Sequence, residues 1–304
     1  MQAPIGPAAT PELVTAVSSV GGLGCLAASW TPLDLLKSQV AQIQRELDRP
    51  FCVNLVLAFD QRERLEHLCE AKVPVISFSW GVEAAAIDRA HQAGASVVVQ
   101  VGDVQTGTRA AAAGADVLVV QGIEAGGHVE SKRELLDLVR DLRARVSIPL
   151  LAAGGLAGPA SVLEAREAGA SGVAVGTRYL AAVEADVHPE YHRALVAARA
   201  EDTLLTGLFD VGWPNAPHRV LRNETVETWE RAGSPPPGRR PGEDDTVASI
   251  GSYSVVRYSD AQPTLNTSGD ISAMALYAGS GVDEVRGSED AGEITEQLLA
   301  AFPD

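Results

Sequence analysis

The stretch Gln121-Gly122-Ile123-Glu124-Ala125-Gly126-Gly127-His128 brings an amide, a carboxylate and an imidazole together on glycine-rich backbone. Such a loop suits proton transfer. His128 is the catalytic candidate, because an imidazole there can remove a proton, or stay protonated beside an anionic substrate, near neutral pH. Glu124 either orients the loop or faces solvent.

Two more glycine-rich turns, Ala153-Gly154-Gly155 and Gly176-Thr177-Arg178, each follow a short apolar run. Backbone amides free of side-chain bulk can surround a phosphate, although glycines also serve simply to allow tight turns. Their joint occurrence favours a phosphate site. Since the surrounding loops are not basic, the phosphate would belong to a bound cofactor. Asn54 interrupts the apolar run 51–57 (FCVNLVL), where an uncompensated amide would cost about 1–3 kcal/mol. A ring edge with alternating donors and acceptors, such as a flavin's, would satisfy it, as would a buried structural hydrogen bond. Gln121 has the same two readings.

Trp80 and Trp213 read as pocket walls or ordinary packing. His67, His91, His188, His192 and His218 fall on helical stretches or late in the chain and read as structural or solvated. Cys25 and Cys52 lie inside apolar runs and read as core. No His, Cys or carboxylate cluster has metal-ligand spacing, so no metal is expected.

Positioning these groups requires an alternating framework. Eight short apolar runs, at 2–5, 22–28, 51–57, 73–79, 96–101, 116–122, 148–154 and 172–177, read as strands. Helical spacing predicts helices near 11–20, 33–48, 60–71, 83–93, 104–113, 131–145, 158–169 and 189–200. The recurring Ala-Gly-Ala at 93–95, 113–115 and 168–170 suits a left-handed helix stop before each following strand. Eight such units predict an α/β fold, a (β/α)8 TIM barrel over residues 1–200, whose reactive groups sit on the loops after the strands. An open doubly wound sheet permits the same alternation, but no GxGxxG opens the first helix.

Beyond residue 200 the rhythm stops. Residues 201–277 are expected to form a small C-terminal cap or substrate subdomain, helical or irregular at 201–231 and 246–277. The Pro-rich 232–245 (AGSPPPGRRPGEDD) reads as a mobile loop between them. Residues 278–304 are expected to pack back on the barrel through an amphipathic helix at 289–301.

The chain has 304 residues and a formal net charge of −16. With no basic face to neutralise phosphates, a nucleic-acid partner is not expected. Three cysteines without paired spacing suit a reducing compartment, and no apolar run reaches the roughly 18 residues of a membrane span. A cytoplasmic protein is expected, and a homo-oligomer is compatible with all of this.

These residues resemble the nitronate monooxygenases, formerly called 2-nitropropane dioxygenases. The likeness rests on Gln2 to Gly6 (QAPIG), Gly21 to Gly24 (GGLG), Asn54, QGIEAGGH at 121–128, Ala152 to Gly155 (AAGG) and Gly176-Thr177-Arg178. Weaker signals are Leu221-Arg222-Asn223 and YAGSG at 277–281. The resemblance implies an FMN cofactor. Ala3, Pro4, Ile5, Gly6 and Asn54 would touch its ring, with Gln121 beside it. Gly126, Gly127 and Ala153 would line its site, and Gly154, Gly155, Gly176 and Thr177 would hold its phosphate.

His128 matches the family's catalytic histidine. The implied partners are a small anionic organic substrate and O2, with alkyl nitronates or propionate 3-nitronate converted to a carbonyl compound and nitrite. The same fold would also serve an NAD(P)H-dependent flavin reductase of quinones or enoyl thioesters. From another class, a non-redox barrel binding a phosphorylated metabolite, or a non-catalytic assembly partner, stays open. Departures from the family pattern are the short start and the Pro-rich 232–245 segment.

Overall fold

A computed structural model describes residues 1–302. The chain begins with α1 (Pro11–Ser19), β1 (Cys25–Ala27), α2 (Leu33–Glu46) and β2 (Cys52–Val56), then α3 (Arg62–Glu70), β3 (Val75–Ser79) and α4 (Ala84–Gln92). It continues through β4 (Ser96–Val101), α5 (Val104–Ala112), β5 (Val117–Gln121), the two-residue β6 (Gly127–His128) and α6 (Leu135–Arg143). Next come β7 (Leu150–Ala153), α7 (Pro159–Glu167), β8 (Gly172–Ala174) and α8 (Pro189–Ala197). All eight expected helices are present.

Seven strands form one parallel sheet in the order β1-β2-β3-β4-β5-β7-β8. The eighth expected strand, 2–5, is reduced to a single bridge, Gln2 to Val175. Pro4 explains the reduction, since it has no N–H to give to a ladder. The bridge still joins the two sheet edges: Ala3 N–H donates to the Val175 carbonyl (2.8 Å) and Gln2 N–H to the Leu23 carbonyl (2.9 Å). The Gln2 side chain continues the seam by accepting from Cys25 N–H at 2.7 Å. The fold is a (β/α)8 barrel with seven full strands and a one-residue eighth stave.

Strand alternation sends one set of side chains inward, among them Val98, Val119, Ala153 and Ala174, and packs the other set under the helices. At each Ala-Gly-Ala the glycine has positive φ (Gly94 87°, Gly114 99°, Gly169 102°). The residue after it donates back five positions, as in Ala95 N–H to the Ala90 carbonyl at 3.1 Å. This is the Schellman stop that the spacing predicts.

Beyond α8 the structure departs from expectation. Residues 201–277 contain β9 (Thr203–Thr206), β10 (His218–Leu221), α9 (Glu224–Arg231), β11 (Thr246–Ile250), β12 (Tyr253–Val256) and β13 (Thr267–Gly269). Alongside α9 and irregular stretches they contribute five short strands, which were not expected, to two antiparallel sheets ordered β6-β10-β9 and β12-β11-β13. Strands of three to five residues carry too little alternation to be read from sequence. Within the 232–245 segment, Arg240 is anchored. Arg240 is buried, pairs with Asp210 at 2.7 Å, and lies over the Tyr258 ring at 4.3 Å. The final helix, α10 (Ala291–Ala300), packs against α1 and α7. Residues 303–304 of the expected closing segment lie outside the described residues.

Candidate active site

The loops after β5, β7 and β8 converge at the strands' C-terminal rim. Thr177 Oγ1 accepts from Gly279 N–H at 2.9 Å, and the Glu124 carbonyl accepts from Ser280 N–H at 3.0 Å. The YAGSG stretch thus interlocks with the EAGGH, Gly-Gly and Gly-Thr turns. Close approach explains two of the glycines: a Cβ on Gly126 would run into the Ala278–Gly279 backbone, and one on Gly155 into Ser280 Oγ. Gly154 and Gly155 also hold φ of +126° and +68°, values that an L side chain resists. Ala3 and Ile5 border Gly176, and Gln262 Nε2 donates to the Ile5 carbonyl at 3.2 Å beside Gly6. Pro4 lies between Ala3 and Ile5, so residues 3–6 reach the same rim.

Gln121 and Glu124 hold the histidine loop from inside. Gln121 Nε2 donates to the His128 carbonyl (3.0 Å) and its Oε1 accepts from Glu130 N–H (2.8 Å). Of the two readings of Gln121, the structure displays the structural hydrogen bonds. Glu124 accepts from Leu135 N–H at 3.0 and 3.2 Å, placing a carboxylate on the N-terminus of α6 where the helix dipole favours it. Of its two expected readings, this anchoring matches the loop-orienting one.

His128 sits in β6 directly across from His218 in β10. Trp213 stacks on its ring, with centroids 4.4 Å apart and planes 28° apart. Trp80, Tyr277 and His218 surround it at 6.3, 5.6 and 5.4 Å. Nε2 of His128 is buried with no partner. Burial, then the neighbouring His218, lowers the His128 pKa to about 3. The imidazole is therefore neutral near pH 7, which favours the proton-accepting reading over the protonated one. His218 is fully buried, its Nδ1 paired with the Ala216 carbonyl at 2.9 Å and its Nε2 accepting from Phe209 N–H at 3.2 Å. With both nitrogens engaged it is a neutral structural histidine, as expected, but its place beside His128 was not legible.

Asn54 is buried. Its Nδ2 reaches Ser79 Oγ at 3.4 Å, and its Oδ1 has no partner. An orphaned acceptor in the barrel interior suits a ligand N–H. Among the described residues, the N–H groups of Gly155, Gly176 and Thr177 meet no protein acceptor. Free amides at one end and a free carbonyl at the other suit a phosphate and the imide edge of a flavin ring, so these residues fit a phosphate-bearing flavin. Ala153 and Gly127 line the same rim, and the space beyond Gly127 Cα is open.

Sequence reasoning missed three further features. Glu130 is a half-buried carboxyl whose pKa is raised by burial, accepting from Gln100 Nε2 (2.9 Å) and Trp80 N–H (3.1 Å). Trp30 and Phe59 extend the aromatic wall begun by Trp80 and Trp213. Tyr277 and Gly279 close the site from the far end of the chain. Only the YAGSG likeness had marked that region.

This arrangement defines a (β/α)8 barrel with its candidate functional groups on the loops after the strands. Residues 1–66 and 57–301 match the family model described as nitronate monooxygenase, and the chain belongs to that family. It is 36% identical over 233 residues to a Mycobacterium tuberculosis protein named (3aS,4S,5R,7aS)-5-hydroxy-7a-methyl-1-oxo-octahydro-1H-indene-4-carboxyl-CoA dehydrogenase. That match covers 76% of this chain and 64% of the relative, so the chain spans under two thirds of that relative's length. Among solved structures it is similar to FabK from Thermotoga maritima (TM-score 0.85, 28% identity, covering 99% of this chain and 91% of that one). A nitroalkane oxidase from Streptomyces ansochromogenes is also similar (TM-score 0.78, 28% identity, covering 99% and 94%). No described helix is long and apolar enough to cross a membrane.

Proposed function

We propose that the chain is an FMN-dependent oxidoreductase that converts alkyl nitronates, with O2, to a carbonyl compound and nitrite. One observation carries the reading: a partly buried, neutral imidazole whose buried Nε2 has no partner shares a rim with free glycine amides and with the loops above Asn54. Gly154, Gly155, Gly176 and Thr177 would hold the FMN phosphate. Ala3, Pro4, Ile5, Gly6, Asn54, Gln121, Gly126, Gly127 and Ala153 would surround the remainder. When bound, FMN supplies the electron transfer between substrate and oxygen.

The protein's own part is placement and proton control. His128 Nε2 accepts the proton of a neutral nitroalkane, leaving the electron pair on the nitronate, and the imidazolium and the small anion form as a pair. Gln121 and Glu124 keep the imidazole in place while this happens. The aromatic wall excludes water, which strengthens that pairing. Residues 201–277 act as a cap that supplies His218 and Trp213. Three free, buried cysteines suit the cytoplasm.

The test is to mix purified protein with a nitronate in air and follow nitrite, then to repeat the mixing anaerobically and watch the flavin bands. Nitrite release with anaerobic bleaching is expected. Rapid bleaching by NADPH alone, with no nitrite from nitronates, would favour the reductase reading instead. The carboxyl-CoA dehydrogenase relative supports a second reading, in which the same neutral histidine acts next to an acyl thioester. A colourless preparation that takes up no added FMN would sink both.

A further inference from the structure

The chain is poor in aromatics, at 5% of residues, yet three of its four tryptophans meet at one place. Three successive barrel strands each send a ring to the mouth: Trp30 after β1, Phe59 after β2 and Trp80 after β3. Trp213, from the loop between β9 and β10, joins them. Ring centroids are separated by 5.4 Å (Trp30–Phe59), 5.6 Å (Trp30–Trp213), 5.1 Å (Phe59–Trp213) and 4.8 Å (Trp80–Trp213). Trp213 is the hub, and it is also the ring lying flat on His128.

Four large rings offer far more apolar surface than a two- or three-carbon nitro compound can cover. Their disposition also differs from ordinary core packing. Trp30 is 57% exposed and marks an entrance from solvent, whereas Trp213, at 8%, marks the floor beside the imidazole. The side chains whose rings neighbour His128 are Trp80, Trp213, Tyr277 and His218, and both nitrogens of His218 are engaged within the protein.

We propose that the substrate of this site carries a flat, apolar, uncharged group, aryl or fused-ring, seated among Trp30, Phe59, Trp80 and Trp213. Such a group displaces the Trp213 ring from its stack on His128, bringing the adjacent acidic C–H to Nε2. The bond that breaks is that C–H; the proton goes to Nε2 and the electron pair stays on the substrate. The chemistry at His128 rests on the function proposed above, but the binding preference does not.

Binding is therefore measured without turnover. In a Trp229→Phe background every remaining tryptophan belongs to the box, so intrinsic fluorescence reports on it directly. Phenylacetamide, flat, neutral and unreactive, is titrated against propionamide, which lacks the ring, and phenylacetate, which adds a charge. We expect saturable quenching by phenylacetamide, with the other two binding at least about 10-fold more weakly. Trp30→Ala, at an exposed position that leaves folding intact, and Phe59→Ala should each weaken phenylacetamide about 5- to 10-fold. Equal affinity for all three amides and acids, or unchanged affinity in both variants, overturns the proposal. Phenylacetamide binding in a protein that releases no nitrite from any nitroalkane would instead remove the reaction and leave the aromatic box standing.

Discussion

The side-chain amide of Gln121 bridges His128 and Glu130, donating to the carbonyl of the first and accepting from the N–H of the second at 3.0 and 2.8 Å. The end of β5 thereby fixes the loop that presents the imidazole. Gln121→Leu keeps the volume and removes both bonds, each worth about 1 kcal/mol. We expect kcat to fall about 10- to 100-fold, with KM changed far less, because a misplaced base harms the reaction more than binding. A KM effect as large as the kcat effect would count against this positioning role.

Asn54 separates folding from cofactor binding. Its unpartnered Oδ1 costs stability in the flavin-free protein. Asn54→Leu should therefore leave the flavin-free denaturation midpoint unchanged or raised, while FMN affinity falls about 10-fold or more for the loss of one hydrogen bond. Equilibrium dialysis with FMN, alongside urea denaturation, checks both halves.

His128 is held neutral, its pKa lowered from 6.5 to about 3. A histidine depressed in the folded state keeps its full contribution to stability above its unfolded pKa and loses it as pH falls toward the folded value. Wild type should thus lose stability between about pH 6.5 and pH 4 more steeply than His128→Asn, as read from urea midpoints. In turnover, kcat/KM for a neutral nitroalkane should show no acid limb from about pH 8 down to about pH 5. His128→Asn should cost neutral nitroalkanes about 100-fold and preformed nitronates much less.

Asp260 shifts the opposite way. Burial raises its carboxyl from 3.8 to about 6, so stability is present below the unfolded value and lost as pH rises through the folded one. Asp260→Asn should stabilise the protein by about 1–2 kcal/mol near pH 8 and by nothing near pH 4. Thermal melts at the two pH values decide it; equal shifts at both would rule out a titration effect.

Arg178, next to the Gly-Thr turn, is buried against Glu289 at 2.7 Å and also donates to the Ala157 carbonyl at 3.1 Å. Removing one partner of a buried pair strands the other, at a cost of about 3–5 kcal/mol. Arg178→Met should lower the urea midpoint accordingly, and Arg178→Lys should restore only part, since one ammonium cannot reproduce the fork. A loss below about 1 kcal/mol would show that the pair is effectively solvent-screened.

The barrel was legible because two periods dominate its sequence. Runs such as SVVVQV at 96–101 and VLVVQ at 117–121 are too β-branched for helices, and each Ala-Gly-Ala supplies its own stop. The first strand was misjudged because an apolar run conceals the missing N–H of Pro4. The second half of the site was not legible, and the reason is distance along the chain. His128 meets Trp213, His218 and Tyr277 only because β10 pairs with β6, and a two-residue strand of glycine and histidine carries no pairing signal. Asn54 was visible as an anomaly, a polar residue in an apolar run, but its orphaned oxygen was visible only in three dimensions.

The single bridge at Gln2 makes the barrel a hoop fastened by one clasp. Residues 1–3 hold β8 to β1 through a few main-chain bonds and one glutamine side chain, and the next three residues reach the rim assigned to the flavin. A ligand bound by residues 3–6 would therefore be linked to closure of the hoop, each favouring the other.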